Sequence, residues 1–333
     1  ASFIKTLLAM NQKTIPPSLN FSAFPDKSPL ARTRVRVQTR PGPWDPQGPG
    51  QARKAGISAF GFGGINAHVL VEEFKPEVQG HFVPAQFKAK TTLPCAIIGM
   101  NLITRNCRDL NDFSDLLAGK KSPRPQSPGP RWHRTDLLDN QDKNQQALFI
   151  EDFALSPREF HIPPNQMDDI LAQHIILLKA VKGALEDAGI PPRPKGKFSR
   201  THMGCAIGID FDFNAANFFL RWGLDGSGQN DPKRLDGLSP PLTFNRTLGA
   251  LGGIVASRTA REFQLGGPCF TLSAQAASGI KSVEIALDSL SSGETTTFIC
   301  GCVDMAGDLR QYLLNQAAQP FEETFPAEGA CAI

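Results

Sequence analysis

The sequence predicts a layered α/β fold, because short apolar, strand-like segments alternate with segments of helical periodicity along most of the chain. A second observation is composition: 41% of the 333 residues are hydrophobic and 20% are charged, which is typical of globular proteins and enough for one or two domains. A third is the segment Gly267–Gly279, in which a Gly-Pro, a short apolar strand and a small-residue turn lead directly into a helix.

Residues 1–74 are predicted to form one unit. A short amphipathic helix ends before Pro16, a Pro-rich loop covers residues 41–50, and two strand-like stretches then flank a glycine-rich turn. The glycines of that turn, Gly61, Gly63 and Gly64, suit a backbone with unusual dihedral angles or a close approach to another group. A tight hairpin alone would also explain them. Residues 75–93 lack periodicity and are predicted to be a linker.

Residues 94–333 are predicted to form a second domain of alternating strands and helices. Helices are assigned from apolar residues three or four positions apart, and strands from short continuous apolar runs. The predicted elements are a buried strand at Cys95–Met100, helices at Leu110–Leu117 and Ile170–Ala188, a strand at Met203–Ile209, helices at Asn245–Arg261 and Ser278–Leu290, and a strand at Thr297–Val303. Gly189 is expected to close the second of these helices.

Charge and composition exclude several classes of function. A net charge of +3 with scattered basic residues predicts no nucleic-acid partner. The chain has no apolar run of about 18 residues and no secretion signal, so neither a membrane span nor export is predicted. The seven cysteines are not spaced as a disulfide framework, and Cys300 and Cys302 fall in a predicted buried strand, which favours core thiols over a metal or redox pair. We therefore expect a cytoplasmic location.

The segment Gly267–Gly279 has the layout of a nucleophile elbow, a strand-to-helix turn that presents a reactive side chain where the helix N-terminus favours negative charge. A serine or cysteine is expected at its apex, but the apex residue is Ala276. Cys269 lies seven positions earlier, on the strand side, and cannot replace it without rebuilding the turn. The chain also starts without Met and stops inside an apolar run, which we interpret as a piece of a longer polypeptide.

The residues from Gly267 to Glu294 resemble the active-site stretch of the β-ketoacyl synthases, the condensing enzymes of fatty-acid and polyketide assembly. In that family a Gly-Pro, a strand and Asp-Thr-Ala-Cys are followed by a helix that ends in Ser-Gly-Glu. The spacing from both ends, without a gap, aligns the family's cysteine with Ala276, and Ser273 stands where the family has Asp. Residues 94–333 thus resemble the N-terminal half of a ketosynthase.

The resemblance extends to residues 1–74, which are similar to the C-terminal end of the same fold. Residues 58–66 resemble the family's Gly-Phe-Gly-Gly-Thr-Asn gating turn, with Ile65 in place of Thr. The fold implied is a thiolase-like α-β-α-β-α arrangement in incomplete copies, the end of one ketosynthase followed by the beginning of the next. In the first copy the backbone N–H of Phe62 would complete an oxyanion hole and its ring would gate acyl access, while Gly61, Gly63 and Gly64 would give the turn its mobility.

A ketosynthase followed by a copy without its cysteine resembles the ketosynthase and chain-length-factor region of polyunsaturated fatty acid synthases. The resemblance implies an acyltransferase that condenses acyl thioesters with malonyl carrier protein, with decarboxylation. It implies that the second copy is a chain-length factor that dimerises with the ketosynthase and shapes the acyl tunnel, and that this piece alone is inactive. The implied partners are an acyl carrier protein, which delivers phosphopantetheine-bound substrate, and the ketosynthase in a pseudo-dimer; no metal or directly bound cofactor is expected.

Two alternatives stay open. In decarboxylating loading ketosynthases a glutamine replaces the cysteine, and Gln275 is one position away from the aligned site. A scaffold domain without an acyl tunnel is the other alternative. Among other polar residues, His68 and His174 are predicted to be structural. His81 is given no catalytic role, because it lies in the predicted linker and lacks the sequence context of the family's catalytic histidine. Asp210 and Asp212 are two carboxylates without a third ligand, which favours helix capping or loop solvation over a metal site.

Overall fold

The computed structural model describes residues 1–61, 66–75, 94–127, 146–150, 155–156, 158–194, 200–210, 212–215, 217, 221, 241–318 and 327–333. The chain divides into two compact units. Of the described residues, 1–61 and 66–75 belong to the first unit and 94–333 to the second.

The first unit contains helix α1 and two small antiparallel sheets. Its elements are α1 (Ser2–Asn11), β1 (Thr14–Ile15), β2 (Gly42–Pro43), β3 (Lys54–Phe60) and β4 (Asn66–Glu72). Strand β1 pairs with β2, and β2 lies inside the stretch that was predicted to be loop. Strands β3 and β4 form a hairpin. The buried Arg53 holds the base of this hairpin, since its Nη1 lies 2.6 and 2.7 Å from the carboxylate oxygens of Glu73. The predicted helix and the two strands beside the glycine turn are confirmed.

The second unit is built on a mixed sheet with helices on both faces. Its elements are β5 (Asn101–Thr104), α2 (Leu110–Leu117), α3 (Ala172–Asp187), β6 (Met203–Ile209), α4 (Phe244–Gly249), α5 (Gly253–Phe263), β7 (Cys269–Leu272), α6 (Ser278–Ser291), β8 (Thr297–Met305), α7 (Leu309–Ala318) and β9 (Glu328–Ala332). The strand order is β5-β9-β8-β6-β7. Strands β6, β7 and β8 are parallel, whereas β9 is antiparallel to both of its neighbours. The predicted mixture of strands and helices is confirmed as a layered α/β arrangement.

The main apolar core lies between the sheet and helices α3 and α5. Leu177, Val181, Ile207, Val255 and Phe263 are almost fully removed from solvent within it. Helix α6 packs on the opposite face of the sheet. A Cβ on Gly208 would meet Ser278 of α6, whereas a Cβ on Gly301, which pairs with the preceding residue of β6, would meet Leu177 of α3. The side chains of α6 that are buried there are small, namely Ser278, Ser282, Ala286 and Ser289.

Several predicted bounds agree closely with the structure. Helix α2 and strand β6 have the predicted ends, and β7 lies where the elbow strand was expected. Helix α3 ends as predicted, because Gly189 has a φ of +68°, the left-handed conformation that glycine adopts without a Cβ penalty.

The strand predicted at Cys95–Met100 is wrong, since this segment is largely exposed and the strand begins only at Asn101. The segment packs on the end of helix α3 instead of joining the sheet. The Met100 N–H donates to the Asp187 carboxylate at 2.9 Å, and Gly99 lies so close to α3 that a Cβ would overlap the carbonyl oxygen of Ala184. The hydrogen bond that a strand would have formed is thus made to a helix residue.

The single helix predicted at Asn245–Arg261 is two helices in the structure, α4 and α5. The break covers residues 250–252, and it ends at the first of the adjacent glycines Gly252 and Gly253. The Leu251 N–H bonds to the Leu248 carbonyl, three residues back, so the first helix ends in a tightened turn. Paired glycines in a helical pattern lower the cost of such a break, because glycine loses more backbone entropy in a helix than other residues do.

Candidate functional site

The candidate site is the turn between strand β7 and helix α6. Strand β7 ends at Leu272 and α6 begins at Ser278. Gln275 has a φ of +52°, and this left-handed conformation is uncommon for a residue with a side chain. Ala276 follows it and is exposed. The backbone therefore makes the sharp turn of an elbow and presents a methyl group at the predicted position.

The hydroxyl group of Ser278 holds this turn closed. Its Oγ accepts a hydrogen bond from the Ala274 N–H at 2.9 Å and donates to the Gln275 carbonyl at 2.6 Å. The carbonyl of Ile209, at the end of strand β6, is a second acceptor at 3.4 Å. Because Ser278 is buried, these bonds form away from competing water. One side chain thus joins both sides of the left-handed residue to the sheet below.

Two glycines let helix α6 approach the sheet closely beneath the turn. A Cβ on Gly208 of β6 would lie 2.8–2.9 Å from atoms of Ser278, and a Cβ on Gly279 would lie 3.2 Å from Sγ of Cys302. The first turn of α6 consequently rests on strands β6 and β8 without intervening side chains at Gly208 and Gly279.

The Ser278→Ala substitution is expected to destabilise the second unit by about 0.5–1.5 kcal/mol, because it removes the hydroxyl that accepts from the Ala274 N–H and donates to the Gln275 carbonyl. Denaturant unfolding of the substituted and unsubstituted chains measures this loss. Ser273→Ala is the matched control: Ser273 is exposed at the start of the same turn, and no side-chain hydrogen bond is found for it in the described part of the chain. Equal stability of both variants would contradict the role assigned to Ser278.

The turn retains the electrostatics of an elbow but not its nucleophile. Helix α6 has no acidic residue in its first turn and no side-chain cap at Ala277, so the partial positive charge of its N-terminus is not compensated there. A thiolate beside it would be stabilised, whereas the methyl group of Ala276 cannot form a thioester. Cys269 is the first residue of strand β7 and lies roughly 10 Å from Leu272, where the strand meets the turn. Its thiol donates to the Gly267 carbonyl. It therefore does not replace the missing group.

Carboxylates collect at the ends of the parallel strands. Asp210 and Asp212 follow β6, and Asp304 lies near the end of β8. Burial, reinforced by the negative charges of Asp210 and Asp212, raises the pKa of Asp304 to about 6. Asp212 is buried and accepts a hydrogen bond from the Asn214 N–H at 2.8 Å, which is a capping contact, one of the two alternatives given for it from the sequence. No group of three potential metal ligands occurs among the described residues.

His68 and His174 both lie within regular secondary structure. His68 lies on β4, and its Nδ1 is 2.9 Å from Oγ of Ser58 on the paired strand. His174 lies in the first turn of α3, is 1% exposed, and neither ring nitrogen has a hydrogen-bond partner. Burial, together with the positive charge of Arg258, lowers the pKa of His174 to about 3. His81 lies outside the described residues.

The glycine-rich turn of the first unit is described only at its edge. Gly61 is exposed and follows the last residue of β3. Phe62, Gly63, Gly64 and Ile65 lie outside the described residues. Their gating and oxyanion-hole roles therefore stay predictions.

Two features were not predicted from the sequence. A cavity of about 640 Å³ lies among β5, α2 and α3, lined in part by Glu159, Lys179 and Lys182. It is not lined by residues of the elbow turn, and the two lysines form ion pairs with Glu159. The second feature is a contact between the thiols of Cys302 and Cys331, which are 29 residues apart in the sequence and meet only through strand pairing. Neither feature has a local sequence signal.

No helix in the described part of the chain combines the length and the apolar character that crossing a bilayer requires.

Residues 93–330 match the model of the family described as beta-ketoacyl synthase, N-terminal domain. One component protein of the polyunsaturated fatty acid synthase of Thraustochytrium sp. is 24% identical over 327 residues, which cover 92% of this chain and 15% of that protein. The chain thus spans less than a sixth of that relative's length.

Solved structures share the fold. The structure titled PfaC keto synthase-chain length factor superposes with a TM-score of 0.73 at 21% identity, covering 99% of this chain and 37% of the other. The ishigamide ketosynthase/chain length factor gives a TM-score of 0.52 at 20% identity, covering 68% of this chain and 51% of the other. Both likenesses confirm the predicted thiolase-like fold.

Proposed function

The chain belongs to the β-ketoacyl synthase family, and on that premise we propose that its second unit is a chain-length factor, the partner that shapes an acyl tunnel without reacting. The parent protein would be a multidomain fatty acid or polyketide synthase. It would act as an acyltransferase that condenses acyl thioesters with malonyl carrier protein by decarboxylative Claisen chemistry. The piece that this chain represents would be inactive alone, since its elbow has no nucleophile.

The observation that carries the proposal is Ala276 on an intact elbow. A turn without any function would not need the Ser278 hydrogen bonds or the left-handed conformation of Gln275, yet both are present. Retaining a residue in the left-handed region costs free energy of order 1 kcal/mol. The turn therefore supports a role in shape and association, because it has kept its geometry without the thiol that thioester formation requires.

The outward face of helix α6 supports association as well. Ile280 and Leu287 are 75% and 44% exposed on the side that faces away from the sheet, whereas small residues face the sheet. An apolar face beside the elbow suits coverage by a ketosynthase partner or by an acyl chain. Two of the solved structures with this fold carry a ketosynthase with a chain length factor in their titles.

The first unit would be the C-terminal end of the preceding ketosynthase, and residues 75–93 would be the linker. Phe62 would then supply an oxyanion-hole N–H and an acyl gate, with Gly61, Gly63 and Gly64 providing the turn's mobility. An acyl carrier protein would deliver the substrate on phosphopantetheine, so this chain needs no cofactor of its own. The same proposal includes a cytoplasmic location and no nucleic-acid partner.

The test restores the thiol. In the whole synthase, removal of the ketosynthase cysteine is expected to lower condensation by at least about 10³-fold, and adding Ala276→Cys is expected not to rescue it. Condensation is measured as acyl-chain extension from labelled malonyl carrier protein. Alkylation of the new thiol by iodoacetamide shows that it is accessible, and Ala274→Cys is the matched control. Full rescue by Ala276→Cys alone would contradict a role without nucleophilic chemistry.

A decarboxylating loading function is the second candidate, and the backbone of Gln275 is the observation that favours it. This exposed glutamine occupies the left-handed position of the elbow, one residue before the aligned site. If the unit decarboxylates malonyl carrier protein, Gln275→Ala should abolish the release of CO₂ from labelled malonyl groups. A chain-length factor should give no release in either form.

A further inference from the structure

Two free thiols meet across the strand pair β8–β9. Sγ of Cys302 is 3.2 Å from Sγ of Cys331, and the two residues face each other directly in the antiparallel register. Both side chains are partly accessible, in contrast to the buried thiols of Cys107 and Cys205. This pair is built from two strands and is not part of the elbow turn itself.

The strand register at this position implies a Cα separation that suits a disulfide. Cys300 and Ile333 exchange both of their N–H···O bonds at 2.9 Å. Since hydrogen-bonded and non-hydrogen-bonded pairs alternate, Cys302 and Cys331, two positions along, also form a hydrogen-bonded pair. Such pairs have Cα atoms about 5.5 Å apart, and disulfides prefer Cα separations of about 5.5–6 Å. Closing the bond requires the sulfur atoms to approach by only about 1.2 Å, which side-chain rotation can supply.

The two thiols differ in reactivity. The contact with the Cys302 thiol lowers the pKa of Cys331 below that of an ordinary thiol, which favours the thiolate form of Cys331. The pKa of Cys302 is raised by its hydrogen bond with Cys331 and by burial. The nearby Asp304 carboxylate acts in the same direction. Cys300, two residues along β8, has its pKa raised to about 11 by burial. We therefore assign Cys331 as the attacking thiol and Cys302, whose Sγ is 3.2 Å away, as the thiol that closes the disulfide.

We infer that Cys302 and Cys331 form a redox-modification site that reacts with two-electron thiol oxidants such as hydrogen peroxide. The Cys331 thiolate attacks one peroxide oxygen, the O–O bond breaks, and the departing hydroxide takes up a proton to become water. Cys331 is then a sulfenic acid. The Cys302 sulfur attacks the Cys331 sulfur, the S–S bond forms, and hydroxide leaves and combines with the Cys302 proton. In sum two thiols are oxidised to one disulfide and one peroxide is reduced to two waters.

The position of Cys302 connects this site to the elbow. Its Sγ lies beneath Gly279, in the first turn of α6, close enough that an added Cβ would be 3.2 Å away. Disulfide formation draws this sulfur toward β9, so it changes the contact beneath the helix that carries the turn. The inference stands independently of the chain-length-factor role, because it concerns only the two thiols.

The experiment exposes the reduced full chain to a small excess of hydrogen peroxide, blocks the remaining thiols with iodoacetamide, and digests it with trypsin. Cleavage after Lys281 and Arg310 separates a peptide with Cys300 and Cys302 from one with Cys331. The expected result is a cross-link between these peptides with a mass loss of about 2 Da, in the unsubstituted chain and in Cys300→Ser alike. Complete alkylation of Cys302 and Cys331 after peroxide treatment would overturn the inference without requiring any variant.

Two further variants test the order of events. In Cys302→Ser, a sulfenic acid should accumulate on Cys331 and react with dimedone, because the second thiol is missing. In Cys331→Ser, Cys302 should remain unlabelled. A cross-link that persists in Cys302→Ser, or dimedone labelling of Cys302 rather than Cys331, would overturn the assignment of roles. Circular dichroism of both variants confirms that they are folded.

Discussion

Acidification from pH 6.5 to about pH 5 is expected to destabilise the second unit by about 2 kcal/mol through His174 alone. The pKa of His174 is lowered from 6.5 to about 3 in the folded chain, so the unfolded chain binds a proton over this range and the folded chain does not. Stability is consequently present above pH 6.5 and is lost as the pH falls toward 3, by about 1.4 kcal/mol per pH unit. Denaturant unfolding at a series of pH values measures the slope.

The His174→Leu substitution isolates this effect. It removes the titrating group and two buried nitrogens without partners, so the variant should be as stable as the unsubstituted chain at neutral pH or more stable by about 1–2 kcal/mol. The measured quantity is the difference in pH dependence of the unfolding free energy between the two chains. This difference is needed because Asp304, with a pKa of about 6, stabilises the folded chain on acidification and so acts in the opposite direction. His202→Leu, at an exposed position, should keep the full acid sensitivity. Parallel slopes for His174→Leu and the unsubstituted chain would contradict the assignment.

Gly208→Ala is expected to destabilise the second unit by about 3 kcal/mol and to displace the elbow. Its Cβ would lie 2.8–2.9 Å from the backbone and Cβ of Ser278, and the backbone of a packed helix cannot move aside as a flexible side chain can. The first turn of α6 must therefore move away from the sheet, and the Ser278 contact with the Ile209 carbonyl weakens. Calorimetric melting measures the loss.

The matched control for that substitution is Gly252→Ala. Gly252 has a φ of −53°, which alanine adopts without strain, and its Cβ would make an ordinary 3.4 Å contact with Cδ1 of Ile209. Alanine there should stabilise the chain by about 0.4–1 kcal/mol by restricting the unfolded state. If Gly208→Ala and Gly252→Ala had the same effect, close packing between β6 and the elbow would not be what Gly208 provides.

Local patterns predicted much of the second unit because its central strands and helices are locally consistent. The runs that form β6, β7 and β8 are apolar and short, and Gly189 ends α3 where its left-handed conformation is needed. The residues before Asn101 were predicted wrongly because they have the composition of a strand, yet their hydrogen bonds and close contacts are made with helix α3. Strand β9 was not predicted at all, since pairing partners far away in the sequence decide it.

The candidate site shows the same division. The position of Ala276 follows from the resemblance to the ketosynthase family, because the Gly-Pro before the strand and the Ser-Gly-Glu after the helix align with the family's motif without a gap. The role of Ser278 could not be deduced from the sequence, since its hydroxyl bonds depend on a left-handed Gln275 and on the end of β6, 69 residues away. The contact between Cys302 and Cys331 likewise exists only through the register of two strands.

The order of the strands also determines when this sheet can be completed during synthesis. Among the described strands, β5 pairs only with β9, although the whole of the remaining unit is translated between them. At about 5–20 residues per second, the roughly 220 residues that separate these strands take roughly 10–45 s to emerge from a ribosome. Until then β5 has an open edge that other chains could pair with. Nascent chains should therefore depend on chaperones until β9 emerges.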